Sequence, residues 1–199
     1  MIAIITGDIV DSQQQDTKTW LKALKKALNK YGKEPTNWEI YRGDSFQLEV
    51  EAKNALEKVI ALKAMLKQED IDVRMAVGIG EKEHQAKKIT ESNGSAFVNS
   101  GECFETLKKN TLAMKTPWKD FDEILNIMLD LALLAMDNWS ATSAELVKIG
   151  LENPKKKQTE LTKIVNKTQS TISEGLKRAG YDEILKMIHF YNKKIAEKC

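Results

Sequence analysis

Cysteine is almost missing from this chain: Cys103 and Cys199 are the only two in 199 residues, which excludes a disulfide framework and any paired-thiol metal spacing. Histidine is as scarce. His84 and His189 lie too far apart in sequence to form a ligand pattern, and each is expected as an ordinary exposed or core residue. Aromatic residues make up only 7%, so the core has to be built mainly from aliphatic side chains. Long apolar runs are also lacking. The best stretch, residues 124–136, is interrupted by Asn126 and Asp130 and falls short of the roughly 18 uninterrupted apolar positions of a membrane span. The opening Met-Ile-Ala-Ile-Ile-Thr-Gly-Asp has no basic stretch and meets an acid at position 8, unlike a secretory signal. These absences lead to the expectation of a cytoplasmic protein with no membrane partner.

What is present is an ordinary globular balance, 42% hydrophobic and 30% charged, enough for one large or two small domains. The net charge of +2 says little about partners, but its distribution is uneven. Residues 118–139 carry a single lysine among five acids, whereas the tail from residue 140 is basic and includes the run Lys155-Lys156-Lys157. Such an asymmetry permits a phosphate-facing surface without requiring one.

Hydrophobic periodicity divides the chain at Pro117. Before it, residues 2–6 read as a buried strand. A helix follows through Trp20, Leu24 and Leu28, closed by Gly32. Residues 38–41 and 46–50 alternate around Arg42-Gly43-Asp44-Ser45, a hairpin signal. A second helix covers about 54–67, with Lys63 on its apolar stripe, its stem packed and its amine reaching water. A strand covers 71–79, interrupted near Gly78, and Asn93-Gly94 precedes a third helix. The expectation for residues 1–117 is an α+β sandwich with helices on one face of a mainly antiparallel sheet. Residues 118–199 read as helices throughout, at 121–136, 142–151, 158–165, 169–178 and 181–196. Met128, Met136 and Met187 fall in apolar stripes, as core or as a dimer seam.

The most informative segment is 158–178. Leu161, Ile164 and Val165 give its first helix an apolar stripe. Asn166 occupies a position suited to a left-handed turn residue, and Thr168 can cap the second helix. Ile172 and Leu176 pack inward, leaving Gln169, Ser170, Thr171, Ser173, Lys177 and Arg178 outward. Short polar side chains at a helix start suit reading of the DNA major groove, with the basic pair placed for phosphate. The segment resembles the helix-turn-helix of many bacterial regulators through Thr168-Gln-Ser-Thr-Ile-Ser173 and Leu176-Lys-Arg-Ala179. Glu174 departs from it, standing where a basic residue is frequent. A hairpin used only for protein contacts is the alternative. Double-stranded DNA is the expected partner, bound by a homodimer.

A second cluster lies in the N-terminal half. Asp8 follows the first strand, with Ile9, Asp11 and Ser12 in the same loop, and Asp44 sits in the hairpin turn. Adjacent strands would bring Asp8 and Asp44 together as a hard-oxygen site for Mg²⁺ and phosphates. Asp8 alone is equally a turn cap, and Arg42 is either a phosphate contact or the ion-pair partner of Asp44. The pair Gly7-Asp8-Ile9-Val10-Asp11-Ser12 and Arg42-Gly43-Asp44-Ser45-Phe46 resembles class III nucleotidyl cyclase domains and their diguanylate-cyclase cousins. The resemblance implies a ferredoxin-like βαββαβ domain over 1–117, metal ligands at Asp8 and Asp44, and nucleotide contacts from Ile9, Asp11, Ser12 and Arg42. The cyclase arginine is replaced: aligned on Asn99 its position holds Cys103, and aligned on Gly94 it holds Glu102. No catalytic residue is therefore assigned.

Together the opening Ile-Ile-Thr-Gly-Asp-Ile, the central Tyr-Arg-Gly-Asp-Ser-Phe-Gln and the terminal helical motif resemble the SatD family of bacterial proteins. That resemblance implies a DNA-binding transcriptional regulator, with a cyclase-like domain at 1–117 sensing a nucleotide or metal and an all-α helix-turn-helix domain at 118–199. The alternative from a different class is a Mg²⁺-dependent nucleotide cyclase or phosphoryl-transfer enzyme with a helical accessory domain.

Overall fold

The computed structural model describes residues 1–198. Strand β1 (Ile2–Ile9) is the spine of the sheet, because its alternate residues face two different apolar layers. Helix α1 (Thr17–Leu28) follows, capped by the Asp16 carboxylate, which accepts from the Thr19 N–H at 2.9 Å. Strands β2 (Trp38–Tyr41) and β3 (Ser45–Glu51) form the hairpin. Its turn is closed by Arg42 and Gly43 at φ of 50° and 88°, left-handed values that glycine adopts at little cost. Helix α2 (Ala55–Lys67), strand β4 (Val73–Gly80), helix α3 (Ser95–Thr106) and strand β5 (Leu112–Lys115) complete this half. Five helices follow: α4 (Lys119–Met136), α5 (Ala141–Glu152), α6 (Gln158–Val165), α7 (Gln169–Arg178) and α8 (Tyr181–Lys198).

The protein is thus α+β, with a five-stranded mixed sheet ordered β2-β3-β1-β4-β5. The first three neighbouring pairs are antiparallel and β4–β5 is parallel. Strand β5 has no counterpart in the sequence reading. Its four residues, Leu-Ala-Met-Lys, are too short to show a period, and pairing of Leu112 with Met75 is what makes them a strand.

Both faces of the sheet carry helices, which corrects the expectation of one covered face. Ala3, Ile5, Val73, Met75, Val77 and Ile79 point into the main core with α1 and α2. Ile4 and Ala76, of opposite parity, meet α3 on the other side. There the buried Thr6 hydroxyl donates to Ser100 Oγ at 3.0 Å. The glycines of β4 do not interrupt it, because they make room for α3: a Cβ on Gly78 would lie 2.1 Å from the Ser100 backbone nitrogen.

The main core continues across Pro117. Phe121, Leu125 and Leu129 of α4 and Met187, Ile188 and Tyr191 of α8 belong to the same cluster as α2 and the inner sheet face. The Tyr191 hydroxyl donates to the Ala52 carbonyl at 2.5 Å. Lys63 corrects another expectation. Its amine is buried with its stem, paired with Asp137 at 2.7 Å and donating to Thr111 Oγ1 at 3.1 Å. A smaller cluster of Leu146, Ile149, Leu161, Ile172 and Leu176 binds α5, α6 and α7 together. Met136 and Met187 are core residues, while Met128 is half-buried beside them.

Candidate functional site

Antiparallel pairing of β1 with β3 places Asp8 opposite Ser45, and so beside Asp44 in the hairpin turn. Pairing with β4 places Asp8 opposite Arg74. Asp8, Asp11, Ser12, Asp44 and Arg74 line one open cleft of about 430 Å³, with Ile9, Gln13 and Gln14 completing its rim. The first turn after β1 is shaped by Asp11, at a left-handed φ of 52°, a conformation that Asp tolerates better than bulky residues.

Within the cleft the polar groups are already matched. Arg74 grips Asp8 with two parallel hydrogen bonds, Nε to Oδ1 at 3.0 Å and Nη2 to Oδ2 at 2.5 Å, the bidentate geometry that suits guanidinium and carboxylate. The Asp8 side chain is mostly buried, whereas that of Arg74 is 41% exposed. The hydrogen bonds to Asp8, and the nearby charges of Asp8 and Asp44, raise the Arg74 pKa above its ordinary value. The Arg74 guanidinium also lies 5.8 Å from the centre of the Phe104 ring. Ser12 donates its hydroxyl to Asp44.

The guanidinium beside the acids is therefore that of Arg74. Arg42 is exposed on the hairpin and does not line the cleft. Arg74 was visible in the sequence as a lone charge in the run Val-Arg-Met-Ala-Val. Recognising its role required knowing that β4 pairs with β1. On α3, Asn99 donates to the Ile79 carbonyl at 2.8 Å. Cys103 is buried in a small apolar cluster with Ala76 and Leu107, its thiol pushed up to about 11 by burial.

The donors are all oxygens, the chemistry preferred by Mg²⁺. A lone cation does not fit this arrangement, because both Asp8 oxygens are occupied by a fixed positive charge. Only a ligand that engages Arg74 frees them.

The second candidate region is the exposed side of α7. Asn166 joins α6 to α7 at φ 51° and ψ 43°, a left-handed residue ending α6. Thr168 caps α7, its hydroxyl accepting from the Thr171 N–H at 3.2 Å. Ile172 and Leu176 are buried against α5 and α6, and Gly175 allows close approach to Leu146. Gln169, Ser170, Thr171, Ser173, Lys177 and Arg178 are all exposed, as are Lys155, Lys156 and Lys157 before α6. Glu174 shares this face, its carboxylate accepting from Ser170 Oγ at 3.4 Å. No protein-family model and no curated protein matches the chain. Among the described residues no helix is long and apolar enough to cross a membrane.

Proposed function

We propose that this protein is a DNA-binding transcriptional regulator in which α6 and α7 act as a helix-turn-helix. The observation that carries this reading is the division of α7. Ile172 and Leu176 are spent on packing, while six short polar or basic side chains, from Gln169 to Arg178, stand clear of the protein. Their order suits a recognition helix, with base-reading groups at the N-terminal end and phosphate-binding groups at the other. Two copies presenting α7 to successive major grooves supply the affinity that one weakly basic module lacks.

The cleft around Asp8 is the sensory site in this reading. The antiparallel order β2-β3-β1-β4 agrees with the ferredoxin-like core that the cyclase resemblance implies. A nucleotide arriving with Mg²⁺ suits the cleft better than either alone: Arg74 would hold phosphate, and Asp8 with Asp44 would hold the cation, which neutralises phosphate charge. The SatD resemblance belongs to this same proposal.

A mobility-shift assay on duplex DNA from around the protein's own gene, at low and physiological salt, tests the first claim. Retarded complexes that weaken with salt support it, and failure to bind at either salt ends it. Thermal shift with nucleotides, with and without Mg²⁺, tests the second, since a ligand of the native state raises stability. Stabilisation that needs both components and disappears in Asp8→Asn is the expected result. Turnover of the nucleotide would favour the phosphoryl-transfer alternative instead.

A further inference from the structure

Helix α4 buries one face and leaves another bare. Phe121, Leu125, Leu129, Leu133 and Met136 enter the core, as an amphipathic helix requires. Ile124, Ile127, Leu131 and Leu134 point away from it and are 51%, 62%, 65% and 73% exposed. Scattered surface aliphatics need no explanation, but these four form one stripe with steps of three, four and three, the spacing of a coiled-coil seam. Beside the stripe runs an apolar groove of about 380 Å³, whose lining includes Met128, Ala132, Ala135, Gly180 and Met187. Its small residues leave room for a side chain from outside.

We infer that this face is a homodimer interface, in which α4 packs antiparallel against α4 of a second copy. The spacing itself selects that occupant. Steps of three, four and three read identically in both directions, so a twofold axis at the level of Leu129 sets Ile124 opposite Leu134 and Ile127 opposite Leu131 of the other copy. Self-complementarity of this kind is what an isologous contact demands. The exposed stripe and its half-buried neighbours offer on the order of 600 Å² per copy, close to the roughly 800 Å² per partner of standard stable interfaces. A membrane surface is the wrong occupant, because the helix carries Asp120, Asp122, Glu123 and Asp130 against Lys119 alone and would be repelled by anionic lipid. The groove reaches Gly180, which directly follows α7 and its last cap residue, so this interface would fix the relation between two α7 helices. That last consequence rests on the DNA-binding reading, whereas the dimer itself does not.

Sedimentation equilibrium of the full chain tests the proposal without DNA. A dimer in the micromolar range is expected. Replacement of both Ile127 and Leu131 by Glu should raise its dissociation constant at least about 100-fold, since each buried aliphatic side chain contributes roughly one to two tenfold steps. Circular dichroism and thermal unfolding should remain those of the parent monomer, because these side chains are outside the core. Cysteine pairing fixes the geometry. In a Cys199→Ser background, Ile124→Cys combined with Leu134→Cys should give a disulfide-linked dimer on oxidation, and neither single variant should. A wild-type chain that stays monomeric at about 100 μM, or a glutamate variant that still dimerises, overturns the proposal. Cross-linking by Ile124→Cys alone overturns the antiparallel arrangement. A monomer that nevertheless binds DNA would remove the interface and leave the proposed function standing.

Discussion

Lys63 of α2 and Asp137 at the end of α4 meet at 2.7 Å, with the lysine side chain only 1% exposed and the carboxylate 35%. Burial pushes the Lys63 pKa down, and Asp137 pulls it back. The pair ties the last turn of α4 to the helix that covers the sheet. Thr111, just before β5, completes the arrangement by donating to Asp137 Oδ1 at 2.6 Å.

Removing either partner has unequal consequences. Asp137→Ala strands a buried cation and should cost about 2 kcal/mol, less than the roughly 3–5 kcal/mol of a fully buried pair because Asp137 is partly solvated. Lys63→Met keeps the stem, removes the charge and leaves Asp137 with Thr111, so its cost should stay below about 1 kcal/mol. Urea unfolding of the two variants checks the order, and a larger loss for Lys63→Met would contradict it.

The close approach of α3 to the sheet predicts a strong glycine requirement. Gly78→Ala sets a methyl group against the Ser100 backbone nitrogen at 2.1 Å, where neither strand nor helix can yield. A loss of about 3 kcal/mol or more is expected, at the upper end of overpacking costs. Gly175→Ala meets only the tip of the Leu146 side chain, at 2.4 Å, and should cost clearly less. Denaturant midpoints for both variants distinguish them.

Alkaline stability should carry a signature of Cys103. Its thiol is raised from an ordinary 9.0 to about 11 by burial. Between those values the unfolded chain loses the proton and the native protein keeps it, so the native state binds more protons and stability falls as pH rises. Lys63, with its lowered pKa, contributes with the opposite sign and is unchanged by a substitution at position 103. Cys103→Ala should therefore make the decline from pH 9 to 11 less steep, whatever its effect at pH 7. Parallel unfolding curves for wild type and variant across that range would refute the assignment.

DNA recognition should separate into two kinds of interaction. Replacing Lys155, Lys156 and Lys157 by Ala should weaken binding to any duplex and flatten the salt dependence by about 0.9 for each phosphate no longer neutralised. Gln169→Ala and Ser173→Ala should narrow the gap between operator and random DNA, by roughly 1–3 kcal/mol for each bidentate pairing with a base. Thr171 is a poorer probe, since its hydroxyl lies 2.8 Å from the Thr168 cap and its removal perturbs the helix start. Titrations against specific and random duplexes at several salt concentrations measure both effects.

Several features were legible in the sequence because their causes are local. Left-handed Asn166, the Thr168 cap and the inward pair Ile172 and Leu176 follow from turn chemistry and from the helical repeat within about twenty residues. The five C-terminal helices fall within about two residues of where their apolar periodicity puts them. Asp8 and Asp44 stood out as acids at element ends, and the hairpin signal located the second of them. Tertiary structure decided what touches these residues. Sheet order alone put Arg74 on Asp8 and left Arg42 outside. Parallel pairing with β4 alone turned residues 112–115 into a strand, and the packing of α4 against α2 alone closed the interior around the Lys63 amine. Each of these depends on a partner dozens of residues away, where a period read along one segment carries no information about which neighbour will face it.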